Sequence, residues 1–381
     1  MEERNYPIQA VKRYLLFKQT AFVLLAIILF FYGLIAIRNF LYPIALGLVL
    51  AYLGYPLARW FELKGVPRIL ANLIVILGTL ALITGLIIAG YHIITPLAVD
   101  FPDLADKAKE NLTEMIVGIG QYVGIETDSL KETISKQFGT DSEGGGNLLG
   151  NVFSATTNTL VTFGLMPVYI FLFLYYRTKF MYFLLKLAGR SRRKEMVTML
   201  REIAAVIVQY VGGVIIVVII LSIINSIGLL IIGLQFAIPL GVASALFNFI
   251  PYFGTLLGGL VPLTFAFLVE GDPVLAFKVV ILFIIVQFIE NNVLTPNIVG
   301  GNVKINPFFI ITGLVAASMI WGIPGMLLIV PFLASMRILL KHIDFMNPYA
   351  FLLGEKGTEK HSIQMSKVKR IFKRLKKKIK E

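Results

Sequence analysis

Two short polar interruptions lie inside the most apolar part of the chain, and their residue types suit transport chemistry. The first is NFIPYFG at 248–254 and the second is QFIENNVLTP at 287–296. In a bilayer, a spanning helix that is broken by proline or glycine must turn its freed backbone groups toward protein or a wet cavity. A carboxylate and several amides at that depth usually mark the path of an ion or a solute. We therefore predict a transport site at these interruptions.

The first interruption combines an amide with a helix-breaking proline. Pro251 removes a backbone donor and clashes with the preceding turn. Asn248 lies about one turn earlier, where its amide can bind a freed carbonyl or a passing solute. An ordinary proline kink is the alternative, because Gly254 and Gly258 form a small-xxx-small pair that serves close helix packing. The candidate binding residues here are Asn248, Pro251, Tyr252 and Gly254.

The second interruption places polar groups on one face of a helix, because their spacing is three and four residues. The pair Thr295-Pro296 is expected to end this helix. Asparagines at a helix end often serve only as a cap. Glu290 lies about one turn inside that end, where a carboxyl group that exchanges protons could couple transport to a proton gradient. The candidate residues are Gln287, Glu290, Asn291, Asn292, Thr295 and Pro296.

The composition indicates a membrane protein and argues against several kinds of chemistry. Hydrophobic residues make up 57% of the 381 residues and charged residues only 15%, whereas soluble domains are about a quarter charged. The chain has no cysteine and three histidines, so we predict no disulfide, metal site or cofactor. It also lacks the H-E-x-x-H, G-x-S-x-G and Walker motifs. We therefore expect neither an enzyme with catalytic residues nor a nucleotide-driven pump.

Long uncharged runs predict an all-α, polytopic membrane protein with about eight segments of spanning length, and with broken or re-entrant helices in the second half. The first segment follows Lys12, Arg13 and Lys18 but has no signal-peptidase-like site, so we expect a retained anchor rather than a signal peptide. The sixth and eighth segments carry internal breaks, at 248–254 in the sixth, and at 322–325 and Pro331 in the eighth. The predicted segments lie near 21–37, 40–58, 69–94, 153–176, 204–232, 238–269, 274–292 and 308–340.

The distribution of charge predicts the orientation of these segments. Lysine and arginine collect in the amino-terminal arm, in the loop near 59–68 and in the loop near 177–201, which should therefore be cytoplasmic. The stretch 95–151 carries ten acidic residues and four lysines, so we place it outside. The basic stretch after Lys341 returns to the cytoplasm, which requires an even number of crossings.

The external stretch has the pattern of an amphipathic helix, because Leu97, Phe101, Leu104 and later apolar residues recur at spacings of three and four. Such a helix would lie on the outer leaflet or on the protein's own top, or it would form a contact between subunits. We divide the chain into amino-terminal membrane segments (1–95), an extracellular acidic insertion (96–151), a carboxyl-terminal transport unit (152–340) and a cytoplasmic basic tail (341–381).

The basic tail carries nine lysines and arginines between Ser366 and Lys380, interleaved with apolar residues on one helical face. Attraction to anionic membrane lipid contributes about 1 kcal/mol per basic residue near the surface. We therefore predict lipid rather than nucleic acid as the partner of this tail, because no nucleic-acid-binding fold surrounds it. A solvated, disordered tail is the alternative.

At the two interruptions the chain resembles the autoinducer-2 exporter family of bacterial multi-pass membrane proteins. The stretch 248–254 is similar to that family's N-[FI]-I-P-Y-[FIL]-G signature, and 290–300 to its E-x-[NY]-x-[LV]-x-P-x-[IV]-x-G stretch. Asn306-Pro307 and the run from Gly325 to Pro331 match two further elements. The resemblance covers the chain from the first segment to about Leu340.

The resemblance implies a transporter that forms homo-oligomers. Members of that family are linked to export of autoinducer-2, to exchange of sodium or lithium for protons, or to sporulation. The predicted function is thus secondary transport of a small polar solute, with autoinducer-2 as one candidate, across the bacterial cytoplasmic membrane. The alternatives are a Na⁺(Li⁺)/H⁺ antiporter and a membrane scaffold without transport. A midplane site made by discontinuous helices favours transport over the scaffold.

Overall fold

A computed structural model of the protein describes residues 6–123, 144–251, 254–299 and 304–355. Seven helical stretches in these ranges are long and apolar enough to cross a membrane, and three shorter apolar helices accompany them. The described ranges contain helices and turns and no β-strand. The predicted all-α, multi-pass fold is confirmed. The basic stretch 366–380 and the binding candidate Tyr252 lie outside the described residues.

The first helices of the chain form one packed group. They are α1 (Tyr6–Ala36), α2 (Arg38–Leu63), α3 (Arg68–Val99) and α5 (Gly144–Ala188). Small residues on α2, among them Ala51 and Ala58, are buried against Val75 of α3 and Leu174 of α5. The predicted span of α1 is exposed along its length, so α1 contributes little to this core.

The amphipathic helix α4 (Phe101–Val123) lies on the protein's own helices. Leu104 from its apolar stripe is buried in one cluster with Leu229, Leu234 and Phe265. The amide of Asn111 donates hydrogen bonds to the carbonyl oxygens of Leu268 (2.8 Å) and Val269 (3.2 Å). The structure thus shows this amphipathic helix packed against other helices of the same chain.

The long helix α6 (Arg193–Ile232) is followed by a helical hairpin. Its arms are α7 (Ala237–Leu246), which ends in a 3₁₀ turn (Phe247–Phe249), and α8 (Gly254–Thr264), which ends in a π turn (Phe265–Val269). The arms are antiparallel, because a Cβ atom on Gly258 would collide with the backbone of Ser244, and one on Gly254 with that of Asn248.

Of the two forms predicted for the second half, broken or re-entrant helices, the stretch 238–269 is therefore a hairpin and not one kinked helix. The break at Ile250–Pro251 reverses the chain instead of kinking it, and the glycines let the two arms pack closely. Ten residues of α helix are about 15 Å long, so α7 is half as long as the hydrocarbon core of about 30 Å is thick.

The next helix widens instead of ending at Thr295-Pro296 as predicted. It begins at α9 (Pro273–Ile289), where the Asp272 carboxylate accepts hydrogen bonds from the amides of Val274 (2.8 Å) and Leu275 (3.1 Å). It then continues as a π helix over Glu290–Val299. In a π helix each amide bonds one residue further back, and the wider turn accommodates Pro296, which has no amide proton to donate.

The predicted eighth segment is a second hairpin, made of α10 (Pro307–Trp321) and α11 (Ile323–Lys341). Gly322 forms the turn with φ +65°, a conformation that favours glycine. A Cβ atom on Gly313 would lie 2.9 Å from the side chain of Ile329, so the helices run antiparallel. The break predicted at 322–325 occurs, whereas the one predicted at Pro331 does not, because Pro331 is buried inside α11 against neighbouring helices.

The end of the described chain folds back to the start of α10. After α11, a 3₁₀ turn (Asp344–Met346) leads to the short helix α12 (Asn347–Leu353). The amide of Asn306, just before α10, donates a 2.9 Å hydrogen bond to the carbonyl oxygen of Leu353. Both ends of the second hairpin therefore lie on the same side of the protein.

The amino-terminal group packs against the later helices, and two of its contacts involve the second hairpin. Val49 of α2, Ile207 of α6 and Leu328 of α11 are buried in one cluster. At the turn of the second hairpin, the indole of Trp321 donates a 3.2 Å hydrogen bond to the carbonyl oxygen of Leu34 near the end of α1. The turn of the second hairpin thus lies at the carboxyl-terminal end of α1. The open end of the hairpin, where α10 begins and α11 ends, lies at the opposite side.

Candidate functional site

Helix α6 is the common support of the two interruptions. Gly241 of α7 packs closely against Ser226 of α6. A Cβ atom on Gly241 would lie only 2.6 Å from the Ser226 Cα atom. Gly228 of α6 faces Leu282 of α9, and Gly213 faces Val299 at the end of the π helix. Both α7 and the α9 segment therefore run antiparallel to α6.

Because α7 and the α9 segment both run antiparallel to α6, the two interruptions lie beside the same part of α6. Ile250, at the turn of the first hairpin, shares a cluster with Val211, Val214 and Val299. The side chain of Leu294 packs with Ala245 and Val286 around Val217 and Leu221. The structure thus places the first hairpin's turn and the Glu290–Val299 π helix beside the same two turns of α6.

The first interruption is tightly packed at its backbone. Asn248 and Pro251 are half-buried, and Gly254 is buried at the start of α8. A Cβ atom on Gly254 would collide with the carbonyl oxygen of Phe247 and the Asn248 Cα atom. Asn248 and Gly254 therefore meet directly across the turn, where a larger residue than glycine would force the arms apart.

The second interruption holds the carboxylate that the sequence singles out. Glu290 and Gln287 are both half-buried, and the Gln287 amide donates a 3.3 Å hydrogen bond to Glu290 Oε2. A carboxyl group in this position can carry a proton, and the neighbouring amide can bind either of its protonation states. The pair therefore offers one group that can bind and release a proton and one that can donate a hydrogen bond.

Two asparagines of the π helix form hydrogen bonds to the backbone of their own helix. The amide of Asn292 donates a 2.8 Å hydrogen bond to the carbonyl oxygen of Phe288, and Asn297 donates one of 2.7 Å to Val293. These side chains bond backbone oxygens within the wide turns. Four of the predicted residues lie on the exposed side of this helix, namely Asn291, Asn292, Thr295 and Pro296.

A buried polar group that the sequence analysis did not select lies between α6 and α7. Asn225 and Ser244 are each 1% exposed, and the Asn225 amide donates a 3.3 Å hydrogen bond to Ser244 Oγ. Asn225 Oδ1 is buried without a hydrogen-bond partner in the described part of the chain. Such an acceptor costs about 1–3 kcal/mol when unsatisfied. Asn225 was detectable as an amide inside the uncharged run of the fifth predicted segment.

These groups together can form hydrogen bonds to a small polar molecule. The described residues contain no group of three histidine, aspartate or glutamate side chains that could hold a metal. They do provide a carboxylate, amides and hydroxyls on three elements that share α6. Hydrogen bonding to a solute, with proton exchange at Glu290, is the chemistry that this arrangement supports.

Known proteins resemble the chain over most of its length. A family model described as AI-2E family transporter matches residues 24–344. The candidate transport protein YrrI of Bacillus subtilis (strain 168) is 29% identical over 316 residues, which cover 81% of this chain and 88% of that protein. A second candidate transport protein of that organism, YueF, is 27% identical over 80% of this chain and 84% of its own length. One from Borreliella burgdorferi is 24% identical over 88% of this chain and 91% of its own.

Proposed function

The chain belongs to the AI-2E family of transporters, and from that premise we propose that it moves a small polar solute across the bacterial cytoplasmic membrane, coupled to an ion gradient. The family resemblance predicted from the sequence is confirmed. The observation that carries the proposal is the placement of the first hairpin's turn and the widened π helix at one level of α6. Secondary transporters build their midplane sites where membrane helices are interrupted. Autoinducer-2 is one candidate solute.

The membrane arrangement follows from helix lengths and from charge. Because α7 is only about 15 Å long, the first hairpin is too short to cross the membrane. It therefore enters and leaves the membrane on the same side, which we assign to the exterior. The second hairpin supplies two crossings, because α10 and α11 run between the cytoplasmic side and the far end of α1. Eight crossings result, with both termini in the cytoplasm, as the basic loops require.

In the proposed mechanism, the turn of the first hairpin and the Glu290 segment form the two walls of the solute site. Asn248 and Gln287 would donate or accept hydrogen bonds, and Glu290 would release a proton as the solute leaves. Irregular backbone is tolerated at membrane depth where protein or a water-filled cavity surrounds it. The exposed polar side of the π helix therefore faces water or protein, and not lipid.

A Na⁺(Li⁺)/H⁺ antiporter is the second candidate, and the half-buried carboxylate of Glu290 is the observation that favours it. In such an antiporter the cation and the proton would compete for this carboxylate. A scaffold without transport is disfavoured, because a purely structural protein has no need for a carboxylate and a broken hairpin at this depth.

We propose further that the protein forms homo-oligomers and that its basic tail, with the residues Ser366–Lys380, binds anionic lipid. Asn291 and Thr295 are exposed on a membrane-spanning helix, and this exposure supports the homo-oligomer. Polar side chains in that position need protein or water around them instead of lipid, and a second copy of the chain would supply protein. Native mass spectrometry of the purified protein would measure the number of copies. A single-copy mass in a mild detergent would contradict the oligomer.

Transport by everted vesicles, with pH and sodium gradients imposed separately, tests the proposed function. A proton-coupled solute carrier should accumulate solute with a pH gradient alone. An antiporter should instead release protons when Na⁺ or Li⁺ is added in the absence of any organic solute. Vesicles that show neither response, although they contain inserted protein, would leave the scaffold as the better account.

A further inference from the structure

An open cleft of about 470 Å³ lies away from the proposed transport site, between the first residues of α3 and the distal part of α5. Its walls include Arg68 and Ile69 from α3, and Tyr176, Thr178 and Lys179 from α5. The cleft therefore opens where two membrane-spanning helices reach the edge of the apolar region.

The guanidinium group of Arg68 is held in place at this cleft. Its Nη1 atom donates a 3.1 Å hydrogen bond to Thr178 Oγ1 and lies 3.5 Å from the carbonyl oxygen of Tyr175. Its Nε atom lies 3.8 Å from Glu62 Oε1. A guanidinium with a fixed orientation loses less conformational entropy when it binds an oxyanion, and its planar donors match phosphate geometry.

The cleft has an excess of positive charge. Arg68 and Lys179 line it, and no carboxylate is among the lining residues. Glu62, the nearby acid, forms an ion pair with Arg177, whose guanidinium also lies 4.9 Å from the ring of Tyr55. Glu62 is thus shared by Arg68 and Arg177 and compensates one of their two charges. With Lys179, a net excess of two positive charges remains for an anion.

The surface beside the cleft is apolar. Leu70 and Phe180 follow the two lining cations in sequence and are 52% and 49% exposed, and Ile69 and Tyr176 extend this surface into the cleft. A soluble anion has no apolar part that would pack against this surface, whereas a lipid carries its phosphate next to its acyl chains. Arginine and lysine at this depth reach toward headgroups.

We propose that this cleft binds the phosphate headgroup of an anionic phospholipid, with Arg68 and Lys179 as its cationic partners and Ile69 and Tyr176 beside the acyl chains. The site is separate from the predicted lipid contact of the basic tail. It also goes beyond the transport function, since bound lipid would connect α3 to α5 whatever solute is carried.

Lipid titration of the full-length protein in detergent, read by native mass spectrometry, tests the proposal. Phosphatidylglycerol should bind the wild type more tightly than phosphatidylcholine, which has the same phosphate but no net charge. Lys179→Gln should weaken phosphatidylglycerol binding about fivefold, the factor expected for one basic residue near a membrane surface. Arg68→Gln with Lys179→Gln should weaken it further.

The matched control is Arg190→Gln with Arg192→Gln, which removes the same charge from exposed residues of the next loop. Lys179→Gln keeps the experiment interpretable even if the double variant misfolds, because the Lys179 ammonium contacts only the Tyr176 ring at 5.8 Å among its described interactions. Equal loss of lipid in the control would overturn the proposal, as would unchanged binding by Lys179→Gln. Glycerol 3-phosphate that competes fully with the lipid would identify a soluble-anion site instead.

Discussion

Gly213 of α6 and Val299 at the end of the π helix lie in direct backbone contact. A Cβ atom on Gly213 would lie 2.9 Å from the Val299 Cα atom and 3.1 Å from the carbonyl oxygen of Ile298. These short distances leave no room for a side chain at position 213, because the atoms that it would meet belong to the backbone and cannot rotate away as a side chain can. This contact positions the π helix, and with it Glu290, on α6.

Gly213→Ala should therefore displace the π helix and reduce transport. We expect a loss of stability of about 1–3 kcal/mol, as for overpacking of a core, although alanine favours a helix over glycine by about 1 kcal/mol. The adjacent Gly212 is the matched control, since a Cβ atom there meets nothing within 4 Å. Thermal unfolding and transport of both variants would be measured. Equal behaviour of the two variants would show that the contact does not position the site.

Glu290→Gln should abolish proton-coupled transport and leave the protein folded and inserted. The amide keeps the shape of the carboxyl group and a hydrogen bond to Gln287, but it cannot exchange a proton. Transport under an imposed pH gradient is the measurement, with Glu195→Gln on the exposed start of α6 as the control. Unchanged pH dependence in Glu290→Gln would assign Glu290 a structural role.

Asn225→Leu should lower transport while the protein stays folded. Leucine has the same branched arrangement of heavy atoms and removes the unpaired Oδ1 acceptor. Ser244→Ala is combined with it, because replacing both partners of a buried hydrogen bond by apolar groups can be nearly neutral for stability. The control is Ser222→Ala, which removes a hydroxyl bonded within α6 to the Val218 carbonyl oxygen at 2.8 Å. If the combined variant transports like the wild type, the Asn225–Ser244 pair is a packing feature and not part of the solute path.

A crosslink between Val49→Cys and Leu328→Cys should block transport if the carboxyl-terminal helices move against the amino-terminal group. These residues share the buried cluster that joins the two groups. The control pair, Gly313→Cys with Ile329→Cys, joins α10 to α11 inside one unit, where Cβ of residue 313 would lie 2.9 Å from Ile329 Cγ1. The natural chain has no cysteine to interfere. Full activity in the Val49–Leu328 crosslinked protein would exclude this relative motion.

The sequence by itself determined the features that depend on local composition. Uncharged runs identified the membrane helices, the interruptions at Asn248 and Glu290 were recognisable as breaks in apolar runs, and the family followed from the same residues. Helix starts such as Asp272 and Asn306, whose side chains accept amide hydrogen bonds, are also local. These features need no knowledge of neighbouring helices.

The tertiary structure decided whether each break bends, widens or reverses the chain. Pro251 and Gly322 lie at reversals, Pro296 lies in a widened helix, and Pro331 lies inside a continuous one. Proline removes the same backbone donor at positions 251, 296 and 331, so the residue type does not distinguish these three outcomes. Contacts with distant residues do, such as those of Gly258 with Ser244 and of Gly313 with Ile329. The pairing of Asn225 with Ser244 likewise exists only because the chain between them folds back, bringing two polar groups together where no water competes for them.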